Sequence, residues 1–220
     1  MNTVPHIKNF IDEHAPFMEK FVICIHGFST NKHGSKITRL MNELQKRNIG
    51  AVAIDLPAHG ENKKELTIEN CIADIKATEN YLRQFNKPIS FYGSSFGAYT
   101  TLSYMMGDKN SYDKIFLLVP AIVAYEHFKS IQNKVHNNIF ISPEFIKSIR
   151  RFDVMANAQN FEKMDILYAE HDITVSNDNI LAFAKLNNSN LYEIKGADHY
   201  FDKDGELDQV IDVALKVYCH

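Results

Sequence analysis

The sequence contains few cysteines, and their number and spacing exclude a disulfide framework. Only three occur among the 220 residues, Cys24, Cys71 and Cys219, and no two of them have CxxC spacing. An odd number of widely separated cysteines is typical of reduced thiols in a cytoplasmic protein. We therefore expect a cytoplasmic location.

Long apolar runs and basic clusters are also absent. The longest apolar run, residues 115–125, is too short to span a bilayer and contains Pro120. Residues 1–20 show no signal-peptide pattern. The formal net charge is −3, and the lysines and arginines are scattered. We therefore expect no membrane span and no nucleic-acid partner, and nothing in the sequence indicates the oligomeric state.

Six short runs rich in β-branched and aromatic residues recur along the chain. They occupy residues 21–28, 49–57, 88–94, 114–122, 164–170 and 190–196. Several are apolar at successive positions, which is typical of strands buried on both faces of a parallel sheet. Segments with helical spacing separate them, including residues 34–48, 67–85 and 205–220. This alternation predicts an α/β fold, a mostly parallel sheet of about six strands flanked by helices, in a single domain over residues 1–220.

One interval breaks the alternation. No strand is predicted between about residues 124 and 161, although two or three short helical patterns occur there. Connections in such folds normally need only a few residues outside their helix. We interpret the interval as a short helical lid inserted after the fourth core strand, because insertions at this edge of a sheet commonly cover a ligand site.

The stretch "GSSFG", residues 93–97, matches the pattern G-x-S-x-G. It follows the strand-like "ISFY" and precedes the helix-like "AYTTLSYMM", the strand–turn–helix context of a nucleophilic serine. The backbone of such a turn is strained and crowded, so the positions of Gly93 and Gly97 must be small. This selects Ser95 as the nucleophile, whereas Ser94 is predicted to line the substrate pocket.

A serine hydroxyl needs a base, and the base needs an acid to orient it. His199 follows the last predicted strand, and Asp172 follows the strand before it. Both positions lie beyond strand carboxyl ends, where open α/β sheets place their sites. Glu170 is the alternative acid, while His171 and Asp198 are interpreted as solvated or turn-forming side chains.

The chemistry also needs two backbone N–H donors for the developing oxyanion. One is expected from Phe96, directly after the nucleophile. The other is expected from Phe28 in "ICIHGF", where Gly27 allows a close backbone approach. The alternative is that "HGF" is an ordinary turn at the end of a strand.

Other polar and aromatic residues allow more limited predictions. Asp55 and His59 in "AIDLPAHGEN" are expected to brace the neighbouring loop, and no metal site is predicted because no ligand cluster accompanies them. Arg150 and Arg151 favour a solvated helix face, with recognition of a substrate carboxylate as the alternative. Substrate contacts are predicted for Phe28, Ser94, Tyr125, Phe128 and Phe145.

The motifs "HGF", "DLPAHGEN", "GSSFG", "EHD" and "GADH" occur in this order over residues 20–220. Together they resemble the α/β-hydrolase superfamily, and "DLPAHG" is similar to a loop of monoglyceride-lipase-like and feruloyl-esterase-like serine hydrolases. The resemblance implies a triad of Ser95, His199 and Asp172, an oxyanion hole from the amides of Phe28 and Phe96, and no cofactor. Only about twenty residues precede the first core strand, so one or both of the family's leading strands are expected to be missing or vestigial.

The predicted function is hydrolysis of a small-molecule carboxylic ester through an acyl-enzyme. A thioesterase, amidase or peptidase would use the same triad, and the sequence does not identify the leaving group. The alternative from another class is a catalytically silent hydrolase fold that only binds a ligand or a protein.

Overall fold

A computed structural model describes residues 11–107 and 110–219. Its strands are β1 (Lys20–Ile25), β2 (Ile49–Ile54), β3 (Ile89–Ser94), β4 (Ile115–Leu118), β5 (Val135–His136), β6 (Ile139–Phe140), β7 (Asp165–Ala169) and β8 (Asn190–Ile194). Six of them form one sheet in the order β2-β1-β3-β4-β7-β8, and every neighbouring pair in it is parallel. The predicted six-stranded parallel sheet is therefore confirmed.

The helices in the described ranges are α1 (Ser35–Gln45), α2 (Ile68–Arg83), α3 (Phe96–Met105), α4 (Tyr125–Ser130), α5 (Pro143–Ile149), α6 (Asn177–Asn187) and α7 (Glu206–Tyr218), with short 3₁₀ turns at Ala15–Phe17 and Ala158–Asn160. The spacing of apolar residues explains their packing, since α1 buries Ile37, Leu40 and Leu44. Helix α2 begins where the hydroxyl of Thr67 accepts the N–H of Asn70 at 3.1 Å.

Two separate apolar cores cover the two faces of the sheet. The first face packs against α2, α3, α5 and α6, and the second packs against α1 and α7. Successive strand residues point to opposite faces, so Phe91 belongs to the first core and its neighbour Tyr92 to the second. This two-sided burial explains why the strands are apolar at successive positions.

Residues 119–164, between β4 and β7, hold α4, α5 and an antiparallel hairpin of β5 and β6. The hairpin was not predicted, because strands of two residues are too short to show an alternating pattern. Phe128 and Phe145 anchor the segment in the core of the first face. On the amino-terminal side, described residues 11–19 add no strand to the sheet, and β2 forms its edge.

The strand order places a crevice at one edge of the sheet. The chain passes from β1 to β2 on one side and then to β3 on the other side of β1, which makes the β1–β3 pair a topological switch point. Ligands of open α/β sheets bind outside the carboxyl ends of the strands at such a point. Within the described ranges, no helix has both the length and the apolar character needed to cross a bilayer.

Candidate active site

Ser95 lies in the turn between β3 and α3 with a strained backbone. Its φ of 53° and ψ of −115° fall outside the regions that L-residues normally adopt. The Ser95 N–H donates to the carbonyl of Leu118 at 2.9 Å, and the Ser95 carbonyl accepts the N–H of Ala121 at 3.2 Å. These bonds to the end of β4 hold the turn, and with it the position of the Ser95 hydroxyl.

The two glycines of the motif are required by the space around the turn. A Cβ atom at Gly93 would lie 2.7 Å from the Cα atom of Ala98. A Cβ atom at Gly97 would lie 2.4 Å from the carbonyl oxygens of both Ile25 and His26. The turn therefore packs directly against its own helix and against the end of β1.

The structure brings Ser95, His199 and Asp172 into one hydrogen-bonded chain. His199 Nε2 lies 3.1 Å from Ser95 Oγ, and His199 Nδ1 lies 2.7 Å from Asp172 Oδ2. The Asp172 side chain is buried, and its other oxygen accepts the N–H groups of Thr174 at 2.8 Å and Val175 at 3.0 Å. Because an ionised carboxylate only accepts hydrogen bonds, Nδ1–H donates to it and Nε2 is left to accept the serine proton.

The neighbouring acidic and imidazole side chains have other partners. Glu170 Oε2 accepts the N–H of Gly196 at 2.8 Å, which ties the ends of β7 and β8 together. The His171 side chain is exposed. Asp198 Oδ1 accepts the N–H of Tyr200 at 2.9 Å and so forms a turn. Of the two candidate acids, Asp172 is therefore the one whose carboxylate the structure places against the His199 ring.

The backbone amides of Phe28 and Phe96 remain available as donors beside Ser95. Neither donates a hydrogen bond within the part of the chain that the structure describes. The backbone of Gly27 packs against the turn, since a Cβ atom there would lie 3.4 Å from the Ser94 carbonyl oxygen and from Ser95 Cβ. This close approach brings the following Phe28 N–H to the edge of the turn.

His26 was not among the predicted site residues, yet it holds this loop. Its Nε2 atom accepts the N–H of Leu56 at 3.0 Å, so Nδ1 carries the hydrogen and donates to the Gly27 carbonyl at 2.7 Å. That carbonyl and the Phe28 N–H belong to one planar peptide group. His26 therefore fixes the direction of the Phe28 N–H. Burial lowers the pKa of His26 to about 4, which keeps the ring neutral at physiological pH.

Asp55 and His59 brace the same loop from β2. The Asp55 carboxylate accepts the backbone N–H of Lys32 at 2.8 Å and that of Glu61 at 3.0 Å. His59 Nε2 accepts the N–H of Ser29 at 3.2 Å. Burial lowers the pKa of His59 as well. These contacts tie the loop after β2 to the loop after β1.

A cleft of about 1090 Å³ opens above the Ser95 hydroxyl and extends to both sides of the sheet edge. We define its part on the first face as the aromatic arm, lined by Phe28, Phe96, His127, Phe128 and His136. The rings of Phe28 and Phe128 lie 5.0 Å apart, and those of Phe28 and Phe96 lie 5.6 Å apart. This arm suits an apolar or aromatic group.

On the second face the cleft has a different lining. We define this part as the lysine arm, lined by Lys36, Ile37, Tyr92 and Ser94. Ser94, for which a substrate contact is predicted, is half-buried and lines this arm. No sequence motif indicated Lys36 or Tyr92, because only the packing of the second face of the sheet brings them together at the cleft.

The structure differs from the prediction for two aromatic pocket residues. Phe145 lies behind the cleft, fully buried beneath Phe96 and Phe128 with ring centroids 5.9 Å and 5.0 Å away. Tyr125 packs under Lys129, because His127 and Phe128 take the cleft side of α4. Both residues therefore support the lining without forming it.

The arginine pair at residues 150–151 does not line the cleft. Arg151 instead makes an exposed ion pair with Glu69 at 2.7 Å. This position agrees with the interpretation of a solvated helix face.

The parallel sheet, with its strained serine turn after β3 and its cleft at the carboxyl edge, defines an α/β-hydrolase fold. The model of the serine aminopeptidase family S33 matches residues 18–165. The chain therefore belongs to this family of hydrolases. The matched range includes Ser95 and ends before Asp172 and His199. No curated protein matches the chain.

Solved structures share the fold at low sequence identity. Est1E from Butyrivibrio proteoclasticus, solved with ferulic acid bound, has a TM-score of 0.77 at 18% identity, with 93% of this chain and 92% of that chain covered. The monoacylglycerol lipase of Paleococcus ferrophilus has a TM-score of 0.73 at 15% identity, with coverages of 91% and 95%. Mouse alpha/beta hydrolase domain-containing protein 10 has a TM-score of 0.72 at 15% identity, with coverages of 89% and 88%.

Proposed function

We propose that the protein hydrolyses carboxylic esters of small molecules through an acyl-enzyme intermediate. Ser95 is the nucleophile, His199 the general base and Asp172 the acid that orients it. The observation that carries the proposal is the hydrogen-bonded chain from Ser95 Oγ through His199 to the buried Asp172 carboxylate. The likeness to Est1E and to a monoacylglycerol lipase supports an ester as the substrate.

In the first half of the reaction, Ser95 Oγ attacks the acyl carbon while His199 Nε2 takes its proton. Negative charge develops on the carbonyl oxygen, and the N–H groups of Phe28 and Phe96 stabilise it. Asp172 keeps the proton on Nδ1 and stabilises the charged imidazolium. The imidazolium then protonates the leaving oxygen, and the alcohol departs.

In the second half, water replaces the alcohol. His199 Nε2 takes a proton from the water as its oxygen attacks the acyl-enzyme, and the same two amides stabilise the second oxyanion. Collapse releases the carboxylic acid and returns the proton to Ser95. Every step uses groups of the chain itself, so the proposal includes no cofactor.

The segment over residues 124–161 is the lid in this proposal, within a single hydrolase domain. The contribution of His127, Phe128 and His136 to the cleft lining supports that role. A cytoplasmic location remains part of the proposal, and the free thiols of Cys24, Cys71 and Cys219 are compatible with it.

Peptide or amide hydrolysis is the second candidate, because the description of the matching family is serine aminopeptidase. Rates on the butyryl oxyester, thioester and amide of matched leaving groups distinguish the activities. We expect the oxyester to have the highest kcat/KM. An amide with a kcat/KM above that of its matched oxyester would favour the peptidase.

The central test is Ser95→Ala with 4-nitrophenyl butyrate as substrate. We expect kcat to fall by about 10⁴, with an unchanged circular dichroism spectrum and Tm. Ser111→Ala, at an exposed position away from the cleft, serves as the control and should keep wild-type kinetics. A fluorophosphonate should label wild-type protein at Ser95. Ser95→Ala protein with wild-type activity would refute the proposed nucleophile, and a lack of labelling would favour a binding-only protein.

A further inference from the structure

The lysine arm contains an amine without a close ionic partner. The described residues that line the cleft include no aspartate or glutamate, although the chain carries a net charge of −3. No carboxylate oxygen in the described ranges lies within ion-pair distance of Lys36 Nζ, which instead sits 5.9 Å from the ring centroid of Phe201. Asp202 and Asp198 act on the amine only through longer-range electrostatics. Lys36 thus lines the cleft and carries an amine that makes no ion pair in the described part of the chain.

The position of Lys36 in its helix is unfavourable for a cation. It is the second residue of α1, where the helix dipole disfavours positive charge. The side chain is half-buried, and burial lowers the pKa of its amine. An anion bound in the arm would relieve both the dipole repulsion and the loss of hydration.

Two hydroxyl groups lie in the same arm. The Tyr92 hydroxyl is buried and makes no well-formed hydrogen bond in the described part of the chain. Burial raises the pKa of this hydroxyl, and the Ser94 side chain acts in the opposite direction, which indicates that Ser94 lies beside it. Ser94 is half-buried and lines the cleft next to the nucleophile. The arm therefore combines one cation with hydroxyl donors, a set that suits an oxygen anion.

We propose that Lys36 binds a carboxylate carried by the ester substrate, with the Ser94 hydroxyl as a second donor, so that the enzyme prefers carboxylate-bearing esters. The inference rests on the proposed esterase function and names its substrate class. A single amine matches a monoanionic carboxylate, and no arginine among the described residues lines the cleft to hold a phosphate dianion. The aromatic arm then takes the apolar part of the substrate on the other side of Ser95.

The kinetic test uses two substrate pairs, because the carboxylate can belong to the acyl or to the alcohol part. The acyl pair is mono-4-nitrophenyl glutarate and 4-nitrophenyl pentanoate, and the alcohol pair is 3-butyryloxybenzoate and phenyl butyrate. We expect Lys36→Met to lower kcat/KM for the charged member of one pair by about tenfold more than for its neutral member. Each substrate is compared between wild type and Lys36→Met, so differences in intrinsic reactivity among the substrates do not affect the result.

The matched control is Lys76→Met. Lys76 lies on the exposed side of α2 and does not line the cleft, so this variant removes the same charge without touching the lysine arm. It should leave the ratio of charged to neutral ester unchanged. If Lys36→Met lowered kcat/KM equally for both members of each pair, the carboxylate site would be overturned while the esterase function stands. If Lys76→Met changed the ratio of charged to neutral ester as much as Lys36→Met does, the site would be overturned as well.

A binding measurement separates this inference from the proposed reaction. Monomethyl glutarate and 3-butyryloxybenzoate are titrated calorimetrically into Ser95→Ala protein, with dimethyl glutarate as the uncharged control. We expect one of the two acids to bind, and to bind at least about tenfold more weakly once Lys36→Met is added. Such binding would support the carboxylate site even if no ester were hydrolysed. Binding of neither acid, or binding insensitive to Lys36, would refute it.

Discussion

At the scale of the residue, Asp172 differs from the other carboxylates near the cleft in the hydrogen bonds that it accepts. One oxygen takes the imidazole N–H of His199, and the other takes the backbone N–H groups of Thr174 and Val175. Glu170, two residues earlier, instead accepts the backbone N–H of Gly196 in the next loop and lies 3.9 Å from the exposed His171 ring. The backbone after β7 therefore orients one carboxylate toward the imidazole and keeps the other away from it.

Asp172→Asn tests this arrangement. An asparagine at this position offers an N–H₂ group, which would force His199 to accept at Nδ1 and to carry its proton on Nε2. The ring would then be unable to take the Ser95 proton. We expect kcat for 4-nitrophenyl butyrate to fall by about 10³–10⁴, measured beside Tm to verify folding. Glu170→Gln, the matched control, should keep kcat within about threefold of wild type. If Asp172→Asn retained most of the activity, the acid would have to be another residue.

At the scale of the element, the β3–α3 turn is held from several sides. Its backbone binds the end of β4, and Gly97 contacts the carbonyl oxygens that end β1. Strands β1, β3 and β4 therefore all end at the backbone of this turn. Because Ser95 adopts a strained φ, these contacts are what keeps its hydroxyl above the sheet.

Gly97→Ala should therefore destabilise the protein. The added Cβ would meet the carbonyl oxygens of Ile25 and His26 at 2.4 Å, and neither backbone atom can move without disturbing β1. We expect the free energy of unfolding in urea to fall by about 1–3 kcal/mol, with a loss of activity. Gly107→Ala is the control, since its Cβ would come no closer than 3.9 Å to Tyr104 and the free energy should change by less than about 1 kcal/mol. Equal stability of the two variants would contradict the crowding.

The elements differ in how far the sequence predicts them. The core strands are recognisable because both of their faces are buried, but the apolar run at residues 21–28 extends past Ile25, where β1 ends. The last residues of this run, 26–28, lie in the loop after β1 and line the cleft. Helix α6 was not identified, since its apolar pattern is short, at residues 180–186, and asparagines flank it. Ser95, Asp172 and His199 could be predicted from motif and chain order, whereas Lys36 depends on how α1 packs across the second face.

At the scale of the whole molecule, two buried neutral histidines couple stability to pH. His26 and His59 lie with ring centroids 5.1 Å apart, and burial lowers the pKa of each. For His26 the folded pKa is about 4, against an ordinary value of 6.5. At pH values between about 4 and 6.5, this histidine binds more protons in the unfolded chain than in the folded chain. Stability must therefore fall as the pH falls from 6.5 towards 4.

The expected contribution of His26 to this loss reaches about 3 kcal/mol at pH 4, from the difference between its two pKa values. It is measured as the free energy of unfolding in urea at pH 7 and pH 4.5 for wild type and His26→Gln. The variant should lose less stability between the two pH values, since glutamine does not titrate. His171→Gln, at an exposed histidine, should follow the wild-type curve. A His26→Gln curve parallel to that of wild type would show that this ring does not titrate with unfolding.

The cleft crosses the edge of the sheet, so each of its arms rests on a different hydrophobic core. Phe28 and Phe128 pack with the residues of the first face, and Ile37 and Tyr92 pack with those of the second. Mutations in groups that share no partners combine additively. Selection can therefore alter the fit to one half of a ligand without repacking the support of the other half, and a small chain of this kind can diversify in two independent directions around one unchanged reaction centre.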